Sequence, residues 1–195
     1  WTEVEVDDVP AAIRRMEEAG GTHLAVLSTY IMGGVEYHRL LEGCERAAGR
    51  FQELRVAPPL LDSAGDLQKA AQGMLSLHPG LTEDTALVLM GHGTAHPGDF
   101  AYAALEYAFR DLGRRNVLVA TVEGWPDFDC LLRRLGELGA RKVILRPFMT
   151  TAGEHVREDM AGSGPDSWRN RLEKQGYQVD CVLEGLGELA PFREM

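Results

Sequence analysis

Helical spacing of apolar residues alternates with short, continuous apolar runs along the whole chain. The first predicted helix, over 9–19, ends at the Gly20-Gly21 pair. The runs at 23–28 and 86–90 contain few polar residues, which is typical of strands that are buried on both faces. Because helices separate the strands, the sequence predicts an α/β fold with parallel sheets covered on both faces.

The same reading extends to the other elements. It predicts further helices over 35–48, 66–77, 100–112, 127–138, 155–161 and 167–175. It predicts further strands over 53–57, 116–121, 142–146 and 178–182.

An internal repeat relates the two halves of the chain. A shift of 119 residues aligns 8–38 with 127–157 without a gap and keeps helix, glycine turn, strand and glycine loop in the same order. We therefore expect two similar, doubly wound parallel-sheet lobes. The N-terminal lobe would cover 1–80 and the C-terminal lobe 81–195.

The strand–loop–helix–strand block at 85–121 has no partner in this repeat. Its counterpart would precede Trp1, so we expect an N-terminal lobe that lacks its first strand and helix. A missing central strand leaves backbone groups unpaired, and each buried one costs about 1–3 kcal/mol. The expected result is an incomplete, exposed N-terminal sheet or a homo-oligomer that fills it.

Composition and charge narrow the classes of function. The net charge of −10 is shared equally by the parts before and after Gly80, which disfavours a nucleic-acid partner. No apolar run reaches the about 18 residues of a membrane helix, and the first residues do not resemble a signal peptide. The widely spaced Cys44, Cys130 and Cys181 suit a reducing compartment, so we expect a cytoplasmic protein without a membrane partner.

Three predicted strand ends carry polar loops, at 30–38, 90–97 and 150–157. Ligands of open parallel sheets bind beyond the carboxyl ends of the strands. In the second loop His92 lies between Gly91 and Gly93, which free the backbone for an unusual turn and a close approach to a ligand. We therefore interpret His92 as a functional residue.

The repeat connects the other two loops, because it maps Glu36 onto His155. If the two units face each other, Glu36, His92 and His155 can converge on one point. Two imidazoles and one carboxylate suit Co(II), Fe(II), Ni(II) or Zn(II). A neutral histidine near pH 7 is also a plausible proton acceptor.

The remaining histidines carry weaker signals. His96 is open between orienting its loop by a hydrogen bond and a peripheral role, whereas we interpret His23, His38 and His78 as structural or solvated. A phosphate-binding loop at 91–98 is disfavoured, because neither GxGxxG nor GK[ST] is present.

Several segments together resemble the anaerobic cobalt chelatase family, CbiK. Its Met-Gly-His-Gly-x-x-His pattern is present from Met90 to His96, and its Gly-x-Glu-Tyr pattern ends at Tyr37. The pattern Gly-Asp-His-x-x-x-Asp-Met-Ala, followed by Asp-Ser-Trp, corresponds to 153–161 and 166–168, with Glu154 in place of the Asp. The segments 122–126 and 185–188 also fit, so the resemblance covers essentially the whole chain.

The resemblance implies a bilobal class II chelatase fold with a tetrapyrrole bound between the lobes. It implies that Glu36, His92 and His155 bind the metal and that His92 helps to accept pyrrole protons. The activity implied is insertion of Co(II) into sirohydrochlorin or a precorrin-2-derived tetrapyrrole in anaerobic cobalamin biosynthesis, with the metal as substrate and no further cofactor. The alternatives are a sirohydrochlorin ferrochelatase, a nickel chelatase of the same fold, or a non-catalytic tetrapyrrole or metal carrier.

The substrate also needs a binding surface. We expect contacts from the residues of the first two loops that lie nearest the site: Tyr30, Gly91, Gly93 and Thr94. Sirohydrochlorin carries many carboxylates, so a protein of charge −10 needs local cations. Arg146 and Arg157 beside the third loop are candidates, and the alternative is that both are solvated surface residues.

Overall fold

A computed structural model describes residues 6–195, and its elements follow the predicted order. The helices are α1 Val9–Glu18, α2 Val35–Ala47, α3 Ala64–Ser76, α4 Phe100–Asp111, α5 Phe128–Leu138, α6 Trp168–Lys174 and the short α7 Ala190–Arg193. The strands are β1 His23–Val26, β2 Glu53–Val56, β3 Thr85–Gly91, β4 Val117–Thr121, β5 Lys142–Pro147 and β6 Gln178–Cys181. One predicted helix is a single π-helical turn, Val156–Met160.

All strands pair in parallel, in two separate sheets. Within the described residues, the first sheet has two strands, β1-β2, and the second has four in the order β4-β3-β5-β6. The parallel pairing of β1 with β2 resembles the parallel pairing of β5 with β6. Between residues 6 and 195, β3 and β4 have no counterpart in the first sheet.

The larger sheet is covered on both faces. All of β3 is buried, and its alternate side chains enter two different cores. Leu87 and Leu89 face the core that α3 and α4 close, whereas Val88 and Met90 face the core that α5 and α6 close. This confirms the predicted α/β fold with a doubly wound parallel sheet.

The first unit is thinner. One face of its sheet packs on a small cluster that includes Ile13, Leu40 and Phe51, whereas the side chains of the other face are exposed in the described residues. Helix α3 belongs by packing to the second sheet, since Ala70 and Met74 lie in the same core as β3. The division at residue 80 and the homo-oligomer stay predictions.

The strand order creates a crevice at the carboxyl ends of the two central strands of the larger sheet, β3 and β5. From β3 the chain crosses to β4 on one side, and it then returns to β5 on the other side of β3. The loops that follow β3 and β5 therefore diverge, which is the point where open α/β sheets bind ligands. Among the described residues, no helix is long and apolar enough to span a bilayer.

A buried arginine links β5 to the loop after α3. The side chain of Arg146 is 4% exposed and donates to the Glu184 carboxylate at 3.0 Å. It also donates to Nε2 of His78 at 3.3 Å, so that nitrogen must carry a lone pair. Burial, and then the charge of Arg146, lower the pKa of His78. His78 is therefore a structural residue, as the sequence indicated.

This contact predicts a pH dependence of folding. Because the pKa of His78 is lowered in the folded protein, its contribution to the free energy of unfolding is present above the unfolded pKa of about 6.5 and is lost as the pH falls. We expect the His78→Gln variant to lose less stability than the unchanged chain between pH 7 and pH 5 in urea titrations. The exposed His23→Gln variant serves as the control and should behave like the unchanged chain. If the free energy of unfolding fell equally with pH in all three proteins, His78 would not be protonated on unfolding.

Candidate metal-binding site

A pocket of about 440 Å³ opens where the loop after β1 meets the loops after β3 and β5. Its apolar side chains include Ile31, Met32 and Met149, and its polar lining is mainly hydroxyl groups, carboxylates and two imidazoles. Among the described residues, no Lys or Arg lines it. The hydroxyl of Thr150 donates to the backbone oxygen of Thr29 at 2.6 Å, so the two units are joined at the pocket wall.

His92 is the first side chain beyond β3. Its Nδ1 lies 2.9 Å from the carbonyl oxygen of Gly93, and because a carbonyl only accepts, Nδ1 is the nitrogen that donates. The lone pair then resides on Nε2. The turn depends on Gly93, whose φ of +86° is strained for any residue with a side chain. Half of the His92 side chain is exposed, and its Nδ1 lies 3.8 Å from a carboxylate oxygen of Glu123.

His155 reaches the pocket from the loop after β5. It precedes the π-helical turn, and Asp159 at the end of that turn accepts a hydrogen bond from its Nδ1 at 2.5 Å. A carboxylate on Nδ1 fixes the ring orientation and leaves Nε2 as the metal-binding nitrogen. The rings of His92 and His155 lie nearly perpendicular, with centroids 4.7 Å apart.

Glu123 brings a carboxylate to the same point. It follows β4, and one ligand atom each from His92, Glu123 and His155 lie within 4.8 Å of one another. Sequence reasoning did not single out Glu123 as a candidate ligand, although the segment 122–126 was part of the resemblance. The available signal was its position at a strand end, because Glu123 comes two residues after Thr121 closes β4.

Glu36 lines the pocket from the other unit. It lies in the first turn of α2. The structure thus brings the three predicted residues to one pocket, but Glu36 is not part of the cluster of three ligand atoms. Its role as a metal ligand stays a prediction.

The other predicted contact residues separate into two groups. Tyr30, Gly93 and Thr94 line the pocket. Gly91 lies beneath it, where a Cβ would come within 2.3 Å of the Tyr102 ring. The predicted roles of these residues in binding substrate stay predictions.

The two arginines predicted to bind the substrate, Arg146 and Arg157, do not line this pocket. Arg157 lines a neighbouring cavity together with Glu154 and Glu158, and its contact with substrate stays a prediction. The expectation that Arg146 binds a carboxylate of the substrate is wrong. Its side chain is buried and already engaged by Glu184 and His78.

Tyr102 lines the pocket but is not a base. Burial raises its pKa to about 12, and hydrogen bonding from the backbone of Gly93 and His92 only partly opposes this. A phenol with this pKa is protonated at physiological pH and accepts no proton from a substrate. The candidate proton acceptors at this pocket are therefore the imidazoles and carboxylates.

His96 makes a hydrogen bond within its own loop. Its Nδ1 accepts a hydrogen bond from the backbone N–H of Gly98 at 3.0 Å, which favours the first of the two interpretations of this residue. Its ring lies beside that of His38, with centroids 4.8 Å apart, and Nδ1 of His38 donates to the Gly34 carbonyl at 2.8 Å. This histidine pair joins the second loop to α2.

Solved structures share this fold. A crystal structure of the sirohydrochlorin chelatase SirB from Bacillus subtilis subspecies spizizenii in complex with cobalt matches with a TM-score of 0.58 and 13% identity. The match covers 94% of this chain and 71% of that one. SirB from Bacillus subtilis with Fe3+ matches with a TM-score of 0.59 and 14% identity, over 92% of this chain and 72% of that one. At this identity the likeness concerns the class II chelatase fold alone.

Curated relatives are closer in sequence. The sirohydrochlorin cobaltochelatase CbiKC of Nitratidesulfovibrio vulgaris is 37% identical over 191 residues, which are 96% of this chain and 67% of the relative. The sirohydrochlorin cobaltochelatase of Salmonella typhimurium is 31% identical over 192 residues, which are 98% of this chain and 72% of the relative. The family model described as cobalt chelatase (CbiK) matches residues 2–195. The chain therefore belongs to the CbiK cobalt chelatase family.

Proposed function

We propose that the protein inserts Co(II) into sirohydrochlorin. The observation that carries this proposal is the cluster of two imidazoles and one carboxylate in a CbiK family member, in which His92 and His155 line the pocket and Glu123 lies beside them. The two curated relatives are both named sirohydrochlorin cobaltochelatases, which is the same activity.

The donor set suits a metal that must be released again. Nitrogen and carboxylate ligands bind Co(II) well, yet three protein ligands leave coordination positions for water or for the nitrogens of the substrate. A closed four-ligand cage would retain the metal. His92, Glu123 and His155 would therefore hold Co(II) until the macrocycle displaces them.

Insertion also releases two protons, because two pyrrole N–H groups become metal-bound nitrogens. As Co(II) moves to the ring centre, the lone pair on Nε2 of His92 becomes free to take the first proton. His155 can take the second, since Asp159 on its Nδ1 stabilises the resulting imidazolium. No proton then has to pass through Tyr102.

The pocket indicates how the macrocycle is held. Its ring face would lie against Met32 and Met149, and the hydroxyls of Thr29, Tyr30 and Thr151 are available to its peripheral carboxylates. Because no Lys or Arg among residues 6–195 lines the pocket, part of the carboxylates would face solvent. We place this reaction in the cytoplasm, in keeping with the three free cysteines in the described chain.

Insertion of Fe(II) into sirohydrochlorin is the second candidate. The two SirB structures that share the fold contain cobalt and Fe3+, and two imidazoles with one carboxylate do not separate Fe(II) from Co(II). Competition between the two metals at equal concentrations, under anaerobic conditions, distinguishes these activities.

Turnover of free Co(II) and sirohydrochlorin, followed by the absorbance change of the macrocycle, tests the proposed function. We expect many turnovers per protein, and we expect His92→Ala to lower the rate at least a hundredfold while the melting temperature stays the same, because a half-exposed loop histidine supports little core. The control His23→Ala removes an exposed histidine outside the pocket and should keep the rate. Stoichiometric binding of both substrates without turnover would identify a carrier instead.

Substitution distinguishes Glu123 from Glu36 as the carboxylate that binds Co(II). Glu123→Gln should weaken Co(II) binding at least tenfold, because it removes the carboxylate that lies with the two imidazoles. Glu36→Gln, which changes the carboxylate outside that cluster, should alter Co(II) affinity less than threefold. Isothermal titration with Co(II) measures both. The reverse order would make Glu36 the third ligand, as the sequence alone indicated.

A further inference from the structure

We propose that Asp99 is the positioning residue that fixes the loop carrying His92 against the loop carrying Glu123. This inference rests on the proposed function, because it concerns the geometry of the proposed metal site. Asp99 is 6% exposed and immediately precedes α4. It lies outside the cluster of three ligand atoms, so it would act through them rather than on the metal.

The carboxylate of Asp99 bridges the two loops. Oδ1 accepts a hydrogen bond from the backbone N–H of Thr94 at 2.9 Å, in the loop after β3. Oδ2 accepts from the backbone N–H of Trp125 at 2.6 Å, in the loop after β4. Hydrogen bonds to a buried, ionised acceptor are short and strong, and the N-terminus of α4 adds a favourable dipole. Backbone donors from both loops therefore hold the Asp99 carboxylate.

The loops are also paired directly. The backbone N–H of Val122 donates to Gly91 at 3.1 Å, and that of Glu123 donates to the carbonyl oxygen of His92 at 2.8 Å. These bonds continue the pairing of β3 with β4 past the ends of both strands. The metal-binding side chains of His92 and Glu123 therefore start from backbone positions that are joined to each other.

Gly93 and Gly124 pack closely where the loop after β3 meets the loop after β4. A Cβ on Gly124 would lie 2.4 Å and 2.5 Å from the two carboxylate oxygens of Asp99. A Cβ on Gly93 would lie 2.4 Å from the backbone nitrogen of Gly124. Distances below 3.0 Å force a shift, so a side chain at Gly93 or Gly124 would displace the loops or the Asp99 carboxylate. The Asp99 carboxylate is therefore in close contact with the loop that carries Glu123.

The direct test is Asp99→Asn. An asparagine keeps the shape of the side chain but directs an NH₂ donor at one of the two backbone N–H groups, so one loop loses its partner. We expect Co(II) affinity to fall about tenfold, with an altered visible d–d spectrum of the bound Co(II) and a lower kcat at an unchanged KM for the tetrapyrrole. The control is Asp129→Asn, which changes an 83% exposed carboxylate paired with Arg171 on the surface. It should leave all three quantities unchanged.

A double-mutant cycle shows whether Asp99 acts through Glu123. In a Glu123→Gln background, the effect of Asp99→Asn on Co(II) affinity should become at least threefold smaller. If Asp99→Asn does not fold, Gly124→Ala replaces it, since the added Cβ displaces the same carboxylate without removing its charge. We expect the same loss of affinity in that variant.

Failure of the positioning role of Asp99 and failure of the metal site itself give different results. Unchanged Co(II) affinity and an unchanged spectrum in folded Asp99→Asn or Gly124→Ala would overturn the positioning role, even with a lower melting temperature. Failure of the unchanged chain to bind Co(II) through His92 and Glu123 would overturn the metal site, and with it the basis of this inference.

Discussion

The parallel pairing of β3 with both β4 and β5 is the constraint on which the site depends. It places three carboxyl strand ends side by side, and each of the loops that follow them delivers one donor. Because all of β3 is buried, its end cannot shift without disturbing two cores. The strand order also makes the loops after β3 and β5 diverge, which opens the crevice in which those donors lie.

One hydrogen bond to each histidine ring then sets the orientation of that ring. Backbone oxygen fixes the ring of His92, and the carboxylate of Asp159 fixes that of His155, so both present Nε2. The two anchors differ in charge, because the partner of His92 is a neutral carbonyl group and that of His155 is a carboxylate. The repeat aligns His155 with Glu36 of the first unit, which lines the same pocket but lies outside the cluster of three ligand atoms.

Most of the architecture could be predicted from the sequence because its signals are local. Apolar runs, helical spacing and glycine turns predicted the order of helices and strands, and the glycines around His92 marked the functional loop. The role of Glu123 could not be predicted in this way, because its closeness to His92 depends on β4 lying beside β3. The burial of Arg146 was missed for a similar reason. Its partners His78 and Glu184 are 68 and 38 residues away in sequence, and no local pattern reports such contacts.

Anomalous diffraction at the cobalt edge, from crystals of the protein grown with Co(II), tests the central claim most directly. The account predicts one strong peak at about 2.0–2.2 Å from Nε2 of His92, Nε2 of His155 and a carboxylate oxygen of Glu123. A strong peak bound by Glu36 without the two imidazoles, or no peak between the loops that follow β3, β4 and β5, would contradict it.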